Sequence, residues 1–433
     1  MSPSKLSGWR AIRRGGAAVF LAVALLVAGC GNDDDGAGGD GAPAPATAVP
    51  SAAPDSGTGD GPTPDGASDP EGPEESSDPA SQDPESQDSV TAAPGEPEPD
   101  PAPATPTPTP GPTEPLTGEP LEDPSIMDRP ALAVKIGTSS VGRPQTGINQ
   151  ADVLIEVRVE TITRLMAVFH SQGAISLGPI RSARSSDPDI LANFGQPVYG
   201  HSGANPGVLR EVSQGQSNGK LYELRWDHLP TDYWRVGDRV APFNLYTSTA
   251  NIWQAAPREL TAPEPLFEFR SPGEPLPSGA EAAPGVEIRY LGGTIAHFAW
   301  DSEAGGWARW QDGTPHVDMA RHPNGTPNPD VAPVQVTPAN VVVLQTGYTG
   351  SAACSFCPEA ITVDSEGGVA LVFTDGHLIR GRWTRPSANQ PWQVTDNNGN
   401  PVRLTPGQTF IALPGGDVLV MVKDFAENLL KNR

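Results

Sequence analysis

The chain has 433 residues and a formal net charge of −24, but the acids are unevenly placed: residues 31–124 hold 22 of them, with 22 of the 50 prolines and no Lys or Arg. Such a stretch buries too little apolar surface to offset chain entropy, so it is expected to be disordered. Setting it aside with the four basic residues ahead of it leaves about −6 over residues 125–433, which excludes a protein that grips nucleic acid through clustered Lys and Arg.

At the amino end Lys5, Arg10, Arg13 and Arg14 precede an apolar run from Gly15 to Ala28. It is too short to span a bilayer and has the build of an export signal. The run ends in Val27, Ala28, Gly29, Cys30, the pattern of a bacterial lipoprotein signal in which the Cys is acylated and becomes the first residue. Residues 1–29 are therefore expected to be removed, and Cys30 to anchor the chain in the cell membrane on its extracytoplasmic face. Residues 30–124 form the tether. As a flexible coil it reaches roughly 55 Å, and TPTPTPGP at 105–112 stiffens it further.

Beyond the tether the apolar run Ala131 to Ile136 and the alternating run Asp152 to Glu160 predict strands, and Arg164 to His170 pairs with the second as a hairpin. GPIRSAR at 178–184 predicts a loop into a helix with Ser186 as N-cap, running to about Phe194. Pro197 to His201 predicts another strand, with Asn205 and Pro206 starting the next helix and a third helix following Thr247 or Ser248. Residues 125–260 thus read as an α+β or α/β domain, and the Pro-rich residues 261–285 as an interdomain linker. From 286 to 433 short alternating runs separated by turn pairs such as Asp375-Gly376 and Asn398-Gly399 predict an antiparallel all-β domain, a sandwich or half-open barrel.

RPALAVKIGTSSVGRPQTGINQADVLIEVRVETITRLMAVF, GPIRSAR and APFNLYTST, followed by WARWQDGTPHVD at 307–318, VFTDGHLIRGRW and GNPVRLTPGQTFIAL, resemble the YerB-like lipoproteins of Gram-positive bacteria. The resemblance spans most of residues 129–414. It implies a two-domain, membrane-anchored extracytoplasmic protein whose domains have no known function, and it supplies no catalytic residues.

The candidate site comes from the residues themselves. Arg181, Ser182 and Arg184 precede one predicted helix, and His201 and Ser202 precede the next. Helix starts offer N–H groups and a positive dipole, and guanidiniums beside them make a fork for phosphate or carboxylate. Arg143, in the GRPQTG loop, is expected to join them. The competing expectation is that these arginines pair internally with Asp187, Asp189, Glu156 or Glu160. Glu156, Arg158 and Glu160 are read as a solvated strand face, the two Glu about 13 Å apart and too far for an acid and base pair. The seven His show no paired ligand spacing; His316 with Asp318 comes nearest, and neither metal nor cofactor is expected. Cys354 and Cys357, in an exported chain, predict a short-loop disulfide.

Two functions follow as expectations. The first is a non-catalytic envelope protein binding an anionic cell-wall component or an envelope protein. The second is a cell-wall polymer hydrolase or transferase using His201 and a carboxylate such as Glu160, which needs those side chains within hydrogen-bond reach.

Overall fold

The computed structural model describes residues 111–433. The export signal, Cys30 and the tether up to residue 110 lie outside the described residues.

The framework begins with three strands, β1 (Leu132–Gly137), β2 (Val153–Val159) and β3 (Ile162–Phe169), which pair antiparallel in the order β2-β3-β1. Alternation along β1 decides its two faces. Leu132, Val134 and Ile136 enter one core and Ala133 the other, because successive side chains of a strand point to opposite sides. Helix α1 (Asp187–Leu191), continued by a 3-10 turn to Phe194, leads to β4 (Val198–Gly200), which lies parallel to β1. Helix α2 (Pro206–Ser217) returns to the short β5 (Tyr222–Glu223), parallel to β4, and α3 (Thr249–Ala255) closes the N-terminal half. Asn205 and Ser248 cap α2 and α3 by accepting N–H bonds from Val208 and Asn251, as their sequence predicts.

Ser186 departs from its expected role. It makes no side-chain cap bond; its hydroxyl instead accepts the Ala360 N–H at 2.8 Å, and the adjacent Asp187 side chain reaches back to accept the Arg184 N–H at 2.7 Å.

The C-terminal half supplies β6 (Gly285–Tyr290), β7 (Ile295–Asp301), β8 (Gly306–Gln311), β9 (Asn340–Leu344), β10 (Asp364–Thr374), β11 (His377–Arg385), β12 (Gln393–Asp396), β13 (Thr409–Leu413) and β14 (Gly415–Val420), then helix α4 (Lys423–Lys431). Strands β14, β6, β7 and β8, with Thr314–Pro315 at the far edge, form a five-stranded antiparallel sheet. The others join the N-terminal strands in one large sheet of order β12-β11-β10-β9-β13-β2-β3-β1-β4-β5.

That continuity is not what alternation alone predicts. Strand β13 lies parallel both to β2 and to β9, so the C-terminal half is not purely antiparallel, and the two halves share a sheet. All five residues of β9 and of β13 are buried, the pattern of a strand covered on both faces. One face carries α1 and α2. The other carries the five-stranded sheet, with Phe298 against Phe410 at 4.9 Å and Trp307 against Phe373 at 5.6 Å between ring centroids, a two-sheet packing as expected of the β half.

Residues 111–124, which composition assigns to the tether, pack on the fold. Leu116 is buried in the core, and Phe269 lies against Gly118 so closely that a Cβ there would sit 2.1 Å from its ring. Residues 261–285 are likewise laid down rather than slack: Leu266 and Phe267 are buried, and Glu268–Phe269 pairs with Arg403–Leu404. Apolar residues in a Pro-rich stretch suffice to dock it when a sheet leaves a place for them.

Candidate functional site

Strands β1 and β4 run side by side and then separate, and the loop 178–184 fills the gap between their carboxyl ends. Gly137 N–H bonds Pro179 O at 3.0 Å, Arg181 N–H bonds Lys135 O at 2.9 Å, Ser202 N–H bonds Arg181 O at 3.0 Å and Ala183 N–H bonds Gly203 O at 2.9 Å. The loop bearing Arg181, Ser182 and Arg184 and the segment bearing His201 and Ser202 are thus brought together by backbone bonds. The close fit needs Gly137, since a Cβ there would meet the Arg181 side chain at 2.9 Å.

The side chains are engaged within the protein. Arg184 forks onto Glu160, Nε at 3.0 Å and Nη2 at 3.2 Å. Arg181 is buried with its guanidinium 4.5 Å over the Phe243 ring. The carbonyl of Ser182 accepts from Arg164 at 2.6 Å. Arg143 donates to Gln311 O at 2.8 Å and lies 3.4 Å from Asp312, which ties it to the C-terminal half. His201 is fully buried and stacked on Tyr199; Nδ1 accepts the Gly203 N–H at 3.1 Å and Nε2 sits 2.9 Å from Glu223. Glu160 and His201 therefore have different partners, and the imidazole presents no atom to a substrate.

Beneath the loop is a buried pair. Lys135 Nζ donates to Asp187 at 2.6 Å with both side chains wholly buried, and the Tyr199 hydroxyl donates to the same carboxylate. Burial pulls the Lys135 ammonium below its ordinary range while Asp187 opposes that pull, and burial with the Asp187 charge holds the Tyr199 hydroxyl well above its own.

A second buried network joins the two halves. Glu156 on β2 accepts from Thr163 at 2.6 Å and from Arg309 on β8 at 2.8 Å. Arg309 also donates to Gln311 at 3.2 Å and to Nδ1 of His316, and His316 Nε2 donates to Gln145 Oε1 at 2.7 Å. Burial, with the Arg309 charge beside it, holds His316 well below the usual histidine range. The solvated face expected of β2 is thus overturned at Glu156, which is buried, whereas Glu160 sits in the hairpin turn with φ +37° and keeps solvent contact. One signal was in the sequence: a lone charge inside an apolar strand, Lys135 in LAVKIG or Glu156 in VLIEVRV, needs a buried partner.

His316 and Asp318 do not converge on a common point. Asp318 accepts the N–H groups of Gly147 and Asn149 at 2.9 and 2.8 Å, and among the described residues no group of three or more His, Cys, Asp or Glu is placed to hold a metal. Cys354 and Cys357 are disulfide-bonded, Cα atoms 5.3 Å apart. Their loop reaches the start of α2, where Ala353 O would lie 2.0 Å from a Cβ on Gly207, and leaves Phe356 86% exposed.

An α/β segment and a β segment woven through one sheet define the class. Residues 116–262 match the family described as protein of unknown function (DUF3048), N-terminal domain, and residues 286–411 its C-terminal domain. The chain belongs to the DUF3048 family. It is 27% identical over 305 residues to the Bacillus subtilis (strain 168) protein named "Putative lipoprotein YerB", covering 69% of this chain and 84% of that protein. The crystal structure of YerB from Bacillus subtilis superposes with a TM-score of 0.57 at 22% identity, over 71% of this chain and 99% of that one; at that identity the likeness is one of fold.

Proposed function

We propose that this chain is an envelope lipoprotein, acylated at Cys30 and held on the extracytoplasmic face, that acts by binding an anionic envelope polymer rather than by catalysis. The lipoprotein name of the relative and the Val27-Ala28-Gly29-Cys30 signal support the anchor. One observation carries the binding reading: Arg184 presents a guanidinium fork at the 178–184 loop, and its occupant is Glu160, whose side chain is 39% exposed in a surface turn. A carboxylate held there by a bond open to water is an internal competitor for an external anion of the same geometry. His201, buried with both nitrogens engaged, does not support a hydrolase.

Poly(glycerol phosphate) titrated into the protein tests it. Glu160→Gln removes the competitor and should tighten binding severalfold, whereas Arg184→Ala should weaken it at least tenfold with the fold retained by thermal melt. Unchanged affinity in both variants overturns the site. For the anchor, Cys30→Ala should remain unprocessed and carry no acyl chain; normal maturation and partitioning of that variant sinks the lipoprotein reading.

A further inference from the structure

A cavity of about 400 Å³ opens at the seam of the two halves, its Thr146 wall backbone-bonded to Gly178 at the start of the 178–184 loop. Residues 146–150 and 173–176 form one wall, and 318–321 and 331–334 the other. Its volume is that of an ordinary small-ligand site. The rim is apolar and open to solvent, with Ile175, Val334 and Val331 exposed by 64%, 58% and 46%.

Acceptors dominate the polar lining. Ser176 is 2% exposed, yet its hydroxyl has no partner among the described residues, and the Asn149 Oδ1 acceptor is also unmatched. Asp318 lines the same cavity, its carboxylate accepting the backbone N–H groups of Gly147 and Asn149. The cation in the wall, Arg321, is largely engaged: both terminal nitrogens bond Asp238, at 2.8 and 2.7 Å, and one also bonds Gly325 O, which leaves its Nε as a donor without a partner among the described residues. A buried polar group left unmatched costs about 1 to 3 kcal/mol, so a ligand that donates hydrogen bonds here is favoured over one that accepts them. Burial also pushes the Asp318 carboxyl up, against the lowering effect of its amide bonds, and a positive charge alongside would relieve that.

We infer that this cavity is a second binding site, for the amino end of a short peptide that begins with an apolar residue. The α-ammonium donates to Asp318, Asn149 Oδ1 and the Ser176 hydroxyl, and the first side chain lies against Ile175, Val331 and Val334. Because the walls come from both halves, an occupant also ties them together.

The probe is the tripeptide Leu-Ala-Ala, titrated into the full chain in detergent with its Ile and Val methyl groups observed by NMR. Saturable shifts of Ile175, Val331 and Val334 are expected, with a rise in melting temperature. N-acetyl-Leu-Ala-Ala, which lacks the charge, should bind at least tenfold more weakly. Val334→Lys, at an exposed position, should keep the fold and lose the shifts, and Ile175→Lys serves if it does not fold. Absence of saturable shifts with Leu-Ala-Ala, equal binding of the acetylated peptide, or undiminished binding by both Lys variants each overturns the assignment. Arg184→Ala should leave this binding untouched, which separates it from the anion site.

Discussion

Glu156 and Arg309 are 153 positions apart in sequence, yet each is the other's charged partner and both side chains are fully buried. Removing one partner of such a pair leaves a buried charge and costs about 3 to 5 kcal/mol, while replacing both by apolar groups is often neutral. Arg309→Met should therefore lower urea stability by that amount, and Glu156→Leu with Arg309→Met should recover most of it; a loss under about 1 kcal/mol in the single variant removes the network's structural role. Two neighbouring groups set the pH response. Burial, helped by the Arg129 charge, holds His170 down to about 4, and burial pushes Asp152 up to about 7. For His170 the folded state favours the neutral ring, so its contribution is present above pH 6.5 and lost as pH falls toward 4. For Asp152 the folded state favours the protonated carboxyl, so its contribution is present below pH 4 and lost as pH rises through 7. At their limits these amount to about 3 kcal/mol for His170 and about 4 kcal/mol for Asp152, one pKa unit being about 1.4 kcal/mol. The two slopes oppose each other between about pH 4 and 6.5, so in melts across that range His170→Gln should make stability fall as pH rises and Asp152→Asn should make it rise; curves parallel to wild type in both refute the assignment.

At the scale of elements, caps and turns were legible because they are local. Asn205 with Pro206 and Ser248 announce α2 and α3 with no help from distant residues, and Asn205→Ala should cost about 1 kcal/mol in a thermal or urea melt. The start of α1 departs from the local pattern at Ser186, since its hydroxyl is claimed by Ala360, 174 positions away. Gly207 is the converse case. In sequence it is an ordinary first-turn residue, but in the fold the carbonyl of Ala353 rests where its Cβ would be. Gly207→Ala should cost about 1 to 3 kcal/mol by overpacking and quicken protease cleavage at residues 351–357, whereas Asn205→Ala should not. Equal cleavage in the two variants would falsify the contact as the cause.

For the molecule as a whole, the decisive strand is β13. It arrives after a long connection and inserts between β2 and β9, parallel to each, so neither half completes its sheet alone. Residues 111–284 expressed by themselves expose the edge of β2, an unpaired apolar strand that invites aggregation. The expected outcome is a poorly dispersed amide spectrum for that piece and recovery of native dispersion when residues 285–433 are co-expressed. A cooperatively folded 111–284 fragment would show that the shared sheet is not required.

The sequence by itself determined the helix caps, most strand positions, the uneven charge and the family, because each depends on residues near one another in the chain or on composition. It also held an unread hint of the sheet's continuity, for Asn340–Leu344 and Thr409–Leu413 are almost unbroken apolar runs of the kind buried on both faces. Which partner each charge would find was decided only in three dimensions. Arg184 on Glu160, Lys135 on Asp187 and Glu156 on Arg309 are choices that burial forces, since a charge removed from water must be matched within a few ångströms, and the fold alone determines what lies within that distance.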